Sequence, residues 1–139
     1  DSGAGWLENE IEACRQMAYC RYALGNEAGA LRALLQSLEL DVPRAEVCCD
    51  IGKHFFDRDQ YTQAIFWYET AASRERDDRS GAFVQPDCYD YIPYLQLCVC
   101  YDRFGNLKKA NFYNEKAWAC RPPSKVCQTN HLYFRSKQI

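Results

Sequence analysis

Two stretches, Cys48-Cys49-Asp50-Ile51-Gly52-Lys53-His54-Phe55 and Tyr94-Leu95-Gln96-Leu97-Cys98-Val99-Cys100-Tyr101, fall on one frame when they are superposed. Cys48 aligns with Tyr94, Ile51 with Leu97, the small residue Gly52 with Cys98, and the aromatic Phe55 with Tyr101. The agreement continues downstream: Asp59 with Gly105, Tyr61 with Leu107, Ala64 with Ala110, Tyr68 with Asn114, and Ala71 with Ala117. Tyr61, Ala64, Ile65, Tyr68, Ala71 and Ala72 form an i, i+3, i+4, i+7 stripe, the apolar face of a helix packed on a neighbour. The small positions let the two helices of a pair approach closely, and the large ones fill the space between pairs. Gly25 and Gly105 suit turns that require a positive φ. Pro43, Pro93, Pro122 and Pro123 sit at or near the expected helix boundaries, where a missing N–H costs little.

A frame of about 34 residues, carried back from Cys48, lands on Cys14, Met17, Ala18, Gly25, Ala30, Leu34 and Ser37. This first unit is more degenerate, with Arg21 in the slot held elsewhere by an aromatic and Tyr22 beside it. These offsets resemble the tetratricopeptide repeat. The resemblance implies an all-α fold, with three antiparallel helix pairs stacked as a right-handed superhelix and closed by a C-terminal capping helix. The expected units are about 11–44, 45–78 and 91–124, within a single domain 1–139. Helices are expected at about 6–23, 27–41, 45–57, 61–76, 90–104, 107–120 and 124–134. The last of these is too short for another pair and covers the exposed face of the third unit, as a solenoid end requires. The second and third units stand further apart than the first and second. The surplus, 77–88, is polar and punctuated by Gly81 and Pro86, so it reads as a loop, with Phe83 and Val84 as apolar islands that pin it to the body. Such a segment is either a functional loop or a tolerated insertion.

The bulk composition narrows the classes. Over 139 residues the chain is 47% hydrophobic and 26% charged, the balance of a folded globular domain. A net charge of -2 provides no long-range field for nucleic acid or an anionic membrane. No apolar run approaches the ~18–20 residues of a bilayer span, and the start shows no signal-peptide pattern. The nine cysteines admit two readings. One is a secreted disulfide scaffold. The other is a set of reduced thiols acting as small core residues, which suits their place in helix-periodic segments and a reducing cytoplasm.

Candidate chemistry is sparse. His54 and His131 lie in different units, and nothing pairs either with a nucleophilic cysteine. Cys98-Val99-Cys100 and Cys48-Cys49 invite a metal reading, but zinc pairs usually sit on turns at C-x2-4-C spacing, whereas these lie on helices. Asp57-Arg58-Asp59 matches a D-x-D metal triad and equally the solvated turn between the helices of the second unit. The expectation is therefore a chain with no catalytic residue, no cofactor and no metal. The feature left for function is a groove lined mainly by the first helix of each pair. Its outward positions are Arg15, Tyr19 and Tyr22, then Lys53, Phe56 and Asp57, then Leu95, Val99, Asp102 and Arg103.

A more specific resemblance covers about residues 9–134. Pro43–Gly52, Ala64–Tyr68, Ile92–Arg103 and Asn114–Ala117, above all the run Leu95-Gln96-Leu97-Cys98-Val99-Cys100-Tyr101-Asp102, resemble the C-terminal repeat region of bacterial family 2 glycosyltransferases. The resemblance implies an accessory scaffold following a nucleotide-binding catalytic domain, which binds a protein or peptide acceptor, the parent catalytic domain, or a second copy of itself. The alternative is a free-standing adaptor with a protein partner.

Overall fold

A computed structural model describes residues 2–76 and 84–138, and every regular element among them is helical. In order these are α1 (Ser2–Ala23), α2 (Glu27–Gln36), a 3-10 turn (Ser37–Glu39), α3 (Ala45–Phe56), α4 (Tyr61–Ser73), a second 3-10 turn (Pro86–Tyr89), α5 (Tyr91–Arg103), α6 (Leu107–Cys120) and α7 (Lys125–Ser136). The fold is the expected one: α1 packs on α2, α3 on α4 and α5 on α6, these antiparallel pairs stack, and α7 closes the end against α6. Two helices stop earlier than the periodicity predicts. α2 gives way to the tighter turn at Ser37, whose hydroxyl donates to the Leu34 carbonyl at 2.7 Å. α4 ends at Ser73 because Arg74 is extended, with ψ 141.

The three turns inside the pairs are one motif repeated. Gly25, Asp59 and Gly105 have φ of 79, 59 and 78, the left-handed conformation that ends a helix. Behind each, a bond closes back over the last turn: Asn26 N–H to Arg21 O at 2.8 Å, Gln60 N–H to Phe55 O at 2.9 Å, and Asn106 N–H to Tyr101 O at 2.9 Å. Asn26 and Asn106 then cap the following helix, their side chains accepting from the Gly29 and Lys109 amides. Arg21 thus keeps the backbone role of its slot, and its guanidinium donates to the Gly29 carbonyl at 2.9 Å. Asp59 carries the strain of a non-glycine residue there, and Tyr61 donates a hydrogen bond to its carboxylate at 2.9 Å.

Three cores follow the stacking. Ile11, Ala18, Ala30, Ala33, Leu34, Val47 and Ile51 join the first pair to α3. Cys48, Cys49, Ala64, Tyr68, Ala71, Cys88, Leu97 and Cys100 join the second pair to α5. Cys98, Ala110 and Phe134 join the third pair to α7. Each fully buried aliphatic side chain contributes about 1.5–3 kcal/mol. Cys98 and Cys100, two apart on one helix, therefore enter different cores. Met17 departs from expectation: it holds a core slot in the frame yet is 46% exposed. That slot is covered by the preceding pair in the later units, and among the described residues no pair precedes α1.

The end helix and the inserted segment are held by buried polar groups. Asn114, fully buried on α6, donates through Nδ2 to the Cys127 carbonyl at 3.0 Å and accepts from Asn130 Nδ2 at 3.1 Å. In the frame it replaces Tyr68, exchanging ring packing for two bonds to α7. The segment expected as a loop over 77–88 is described only from Val84. Residues 77–83, Phe83 included, lie outside the described part, and Val84 is half-buried. Its last residues are not irregular but form the turn Pro86–Tyr89, packed on α3, α4 and α5. Glu46, 3% exposed at the start of α3, accepts from the Gln85 amide at 2.7 Å and from the Tyr89 hydroxyl at 3.0 Å.

Gly52 shows how tightly a pair closes. A Cβ there would stand 3.0 Å from two ring atoms of Tyr68, itself 2% exposed. Gly52→Ala gains about 1 kcal/mol of helix propensity and meets overpacking of about 1–3 kcal/mol. The expected outcome is a lower thermal midpoint, recovered when Tyr68→Leu is added; a midpoint raised by Gly52→Ala alone would show that the ring can yield.

Candidate interaction groove

The face of α1 and α3 away from their partners carries a dense polar cluster. Arg15 donates from Nε to Asp50 Oδ2 at 2.7 Å, from Nη1 to Glu12 at 3.1 Å, and from Nη2 to the Tyr19 hydroxyl at 2.7 Å and to Gln85 Oε1 at 3.1 Å. The Tyr19 hydroxyl in turn donates to the Asp50 carboxylate at 2.9 and 3.0 Å. The Arg15 side chain is 7% exposed and that of Asp50 17%. Burial works against the guanidinium charge, but the hydrogen bond and charge of Asp50 outweigh it and hold Arg15 above its ordinary value. Burial pushes the Asp50 carboxyl up, and the bonds from Arg15 and Tyr19 pull it back only in part. Burial, then the Asp50 charge, push the Tyr19 phenol up, so it keeps its proton and donates.

Two hollows open on either side of this cluster. The first, about 390 Å³, is lined by Tyr19, Tyr22, Asp50, Lys53, His54 and Arg58, among others. The second, about 430 Å³, reaches from Arg15 and Lys53 past Phe56 and Tyr68 to Gln85, Cys88 and Gln96. Tyr19, Asp50, Lys53 and Asp57 border both, so the hollows form one groove. At its rim Lys53 Nζ pairs with Asp57 at 2.6 Å, both side chains largely in solvent.

The wall of the first hollow holds a titratable pair. The Tyr22 hydroxyl lies 2.6 Å from His54 Nδ1. Burial raises the Tyr22 phenol to about 12, so it is the donor. Burial, then the charge of Arg58, lower His54 below its ordinary value, so the ring is neutral and its Nδ1 accepts. Arg58 is fixed by Glu27 at 2.8 Å and by the His54 carbonyl at 2.5 Å, and lies over the Tyr22 ring.

Of the residues expected at outward positions, Tyr19, Tyr22, Lys53 and Asp57 line the first hollow, and Arg15, Tyr19, Lys53, Phe56 and Asp57 line the second. Arg15 is not an outward-facing side chain; its guanidinium is consumed by Asp50, Glu12, Tyr19 and Gln85. Asp102 and Arg103 line neither hollow. Arg103 instead donates to the Tyr61 hydroxyl at 3.0 Å, further along the stack. Asp50, His54 and Gln85 are groove residues that the frame passed over. For Asp50 a signal existed: Arg15 and Asp50 are opposite charges 35 residues apart, close to one repeat. Gln85 offered no such signal, since it comes from the insertion. Asp57-Arg58-Asp59 occupies the turn after α3, its carboxylates taken up by Lys53 and Tyr61.

Comparison with known proteins supports the fold. The crystal structure of MamA matches with a TM-score of 0.72 and 19% identity, over 94% of this chain and 69% of that one. The Arabidopsis OM64 TPR domain matches with a TM-score of 0.75 and 15% identity, over 96% of this chain and 99% of that one. No protein-family model matches the chain, and no curated protein matches it. The chain thus has the fold of tetratricopeptide-repeat domains.

Two outcomes follow from the cluster. Asp50→Ala leaves the buried Arg15 guanidinium with Glu12 as its remaining carboxylate and is expected to cost about 3 kcal/mol in urea unfolding, whereas Arg15→Met with Asp50→Leu recovers much of the loss. Because folding lowers the His54 value, the folded state binds its proton less readily than the unfolded state. The contribution is complete above the ordinary value of 6.5 and is lost as pH falls below it. His54→Gln, which keeps an acceptor for Tyr22, is expected to flatten the fall in the urea midpoint between about pH 7 and pH 5; an unchanged slope would place that titration elsewhere.

Proposed function

We propose that this chain is a non-catalytic scaffold whose groove on α1 and α3 holds an extended peptide segment of a protein partner. The observation that carries the reading is the continuity of the two hollows around Tyr19, Asp50, Lys53 and Asp57. A hollow with apolar walls (Tyr22, Phe56, Tyr68, Ile92) and fixed charges of both signs suits a peptide: ring faces take its side chains, and the charges set its register. The net charge of -2 and the mixed signs favour protein over nucleic acid as partner. Among the described residues no helix is long and apolar enough to cross a membrane.

The setting of the scaffold rests on the sequence. The Leu95–Asp102 run supports an accessory domain of a bacterial, cytoplasmic family 2 glycosyltransferase, where the groove would hold the acceptor or the α-helical stack would pair with a second copy. A free-standing adaptor is the alternative. The intact mass of the natural protein, detected with an antibody against this domain, separates them: a mass well above this chain's 16.2 kDa favours the enzyme setting, and a mass near it favours the adaptor.

The groove is tested by selecting peptides from a displayed random library on the folded domain. Lys53→Glu combined with Asp57→Lys keeps the rim pair and the net charge but inverts their order. It is expected to weaken selected peptides about 10-fold or more, roughly 1.4 kcal/mol. Phe66→Ser, on the exposed face of α4, is the control expected to change nothing. Peptides indifferent to the inversion would remove the groove reading.

A further inference from the structure

The floor of the second hollow brings together two cysteines that the sequence keeps far apart. Cys49, on α3, and Cys88, in the turn Pro86–Tyr89, both line it. The Cys49 thiol donates to the Cys88 carbonyl oxygen at 3.4 Å, which sets its sulfur directly against Cys88 on the hollow's floor. Cys88 Sγ also stands 3.8 Å from Gln85 Oε1, the amide that Arg15 holds. All nine cysteines are free, and the others differ in setting: Cys48, Cys98 and Cys100 are buried in the cores, Cys127 is buried on α7, Cys14 is half-buried, and Cys20 and Cys120 are exposed on α1 and α6.

We propose that Cys49 and Cys88 form a peroxide-sensitive dithiol, a modification site that closes into a disulfide and staples the inserted segment to α3. The two sulfurs play different parts. The neighbouring Cys49, with the nearby Arg15 charge, draws the Cys88 thiol down despite its burial, so Cys88 supplies the thiolate. The neighbouring Cys88, then burial, push Cys49 up, so it keeps its proton. The Cys88 thiolate attacks hydrogen peroxide: an S–O bond forms, the O–O bond breaks, and hydroxide leaves and takes up the proton lost from Cys88. Cys49 then attacks the Cys88 sulfenic acid: the S–S bond forms, the S–O bond breaks, and the Cys49 proton leaves with the oxygen as water. In sum two thiols and one peroxide give one disulfide and two waters, with the peroxide as oxidant. The hollow admits the peroxide, and rotation of the two short side chains, starting from the Cys49 sulfur already set against Cys88, brings the sulfurs to the ~2.05 Å of a disulfide bond.

The test uses the full chain, fully reduced and treated with hydrogen peroxide below one equivalent. Remaining thiols are then alkylated and peptides mapped by mass spectrometry. The expected result is a Cys49–Cys88 cross-linked peptide, with a loss of about 2 Da from the intact chain that dithiothreitol reverses. It should appear at a lower peroxide dose than any product at Cys20 or Cys120. In Cys49→Ser the same treatment should leave a dimedone-reactive sulfenic acid at Cys88, which the unaltered chain does not accumulate. Oxidation of Cys20 or Cys120 with no Cys49–Cys88 peptide would overturn the proposal, as would a lasting dimedone adduct at Cys88 in the unaltered chain. The mapping of the unaltered chain decides the matter even where Cys49→Ser does not fold.

Discussion

The Arg15–Asp50 ion pair is the joint on which the groove depends. Large residues such as Ile11, Leu34, Val47 and Ile51 fill the space between the first pair and α3, but an apolar contact between helices tolerates sliding and rotation. A guanidinium with four partners does not: it fixes the height and rotation of α1 against α3, sets the Tyr19 ring, and reaches Gln85 in the insertion. The pair costs desolvation energy that its own attraction only partly returns. What it adds is a single arrangement of the groove wall.

The same division of labour recurs along the stack. Glu46 ties the inserted segment to α3, and Asn114 ties α7 to α6. In each case a buried polar group with satisfied partners specifies one register, while alanine, cysteine and leucine around it supply the burial. Buried polar groups of this kind are costly when half-satisfied and rigid when complete. Among the described residues no buried side-chain nitrogen or oxygen is left without a partner.

This division explains what the sequence revealed. Helix pairs, turns and small-residue slots are local or strictly periodic, so a frame on Gly52 and Cys98 places them. Even Asp59, chemically unlike Gly25 and Gly105, adopts the positive φ that its slot dictates. Tyr19, Lys53 and Asp57 reach the groove because their exposure follows from helix rotation. Glu46 and Tyr89 are 43 residues apart and belong to no repeat, so nothing in their spacing links them. Arg15 reads as a surface residue on periodicity alone, because its burial depends on a carboxylate one pair away. Met17 fails in the opposite sense: its slot is right, but the pair that would cover it is not among the described residues.

The carboxylate of Glu46 also bears on how such a chain can change over generations. An added segment on a solenoid is ordinarily a detour that a later deletion can undo, since the helices on either side still pack. Here the detour and the residue that follows it supply both donors to a carboxylate inside the protein. Trimming the segment back to the standard repeat would strand that charge, and replacing Glu46 first would release the segment. Neither single step is neutral, so the insertion and the residue beneath it are locked into inheritance as one unit.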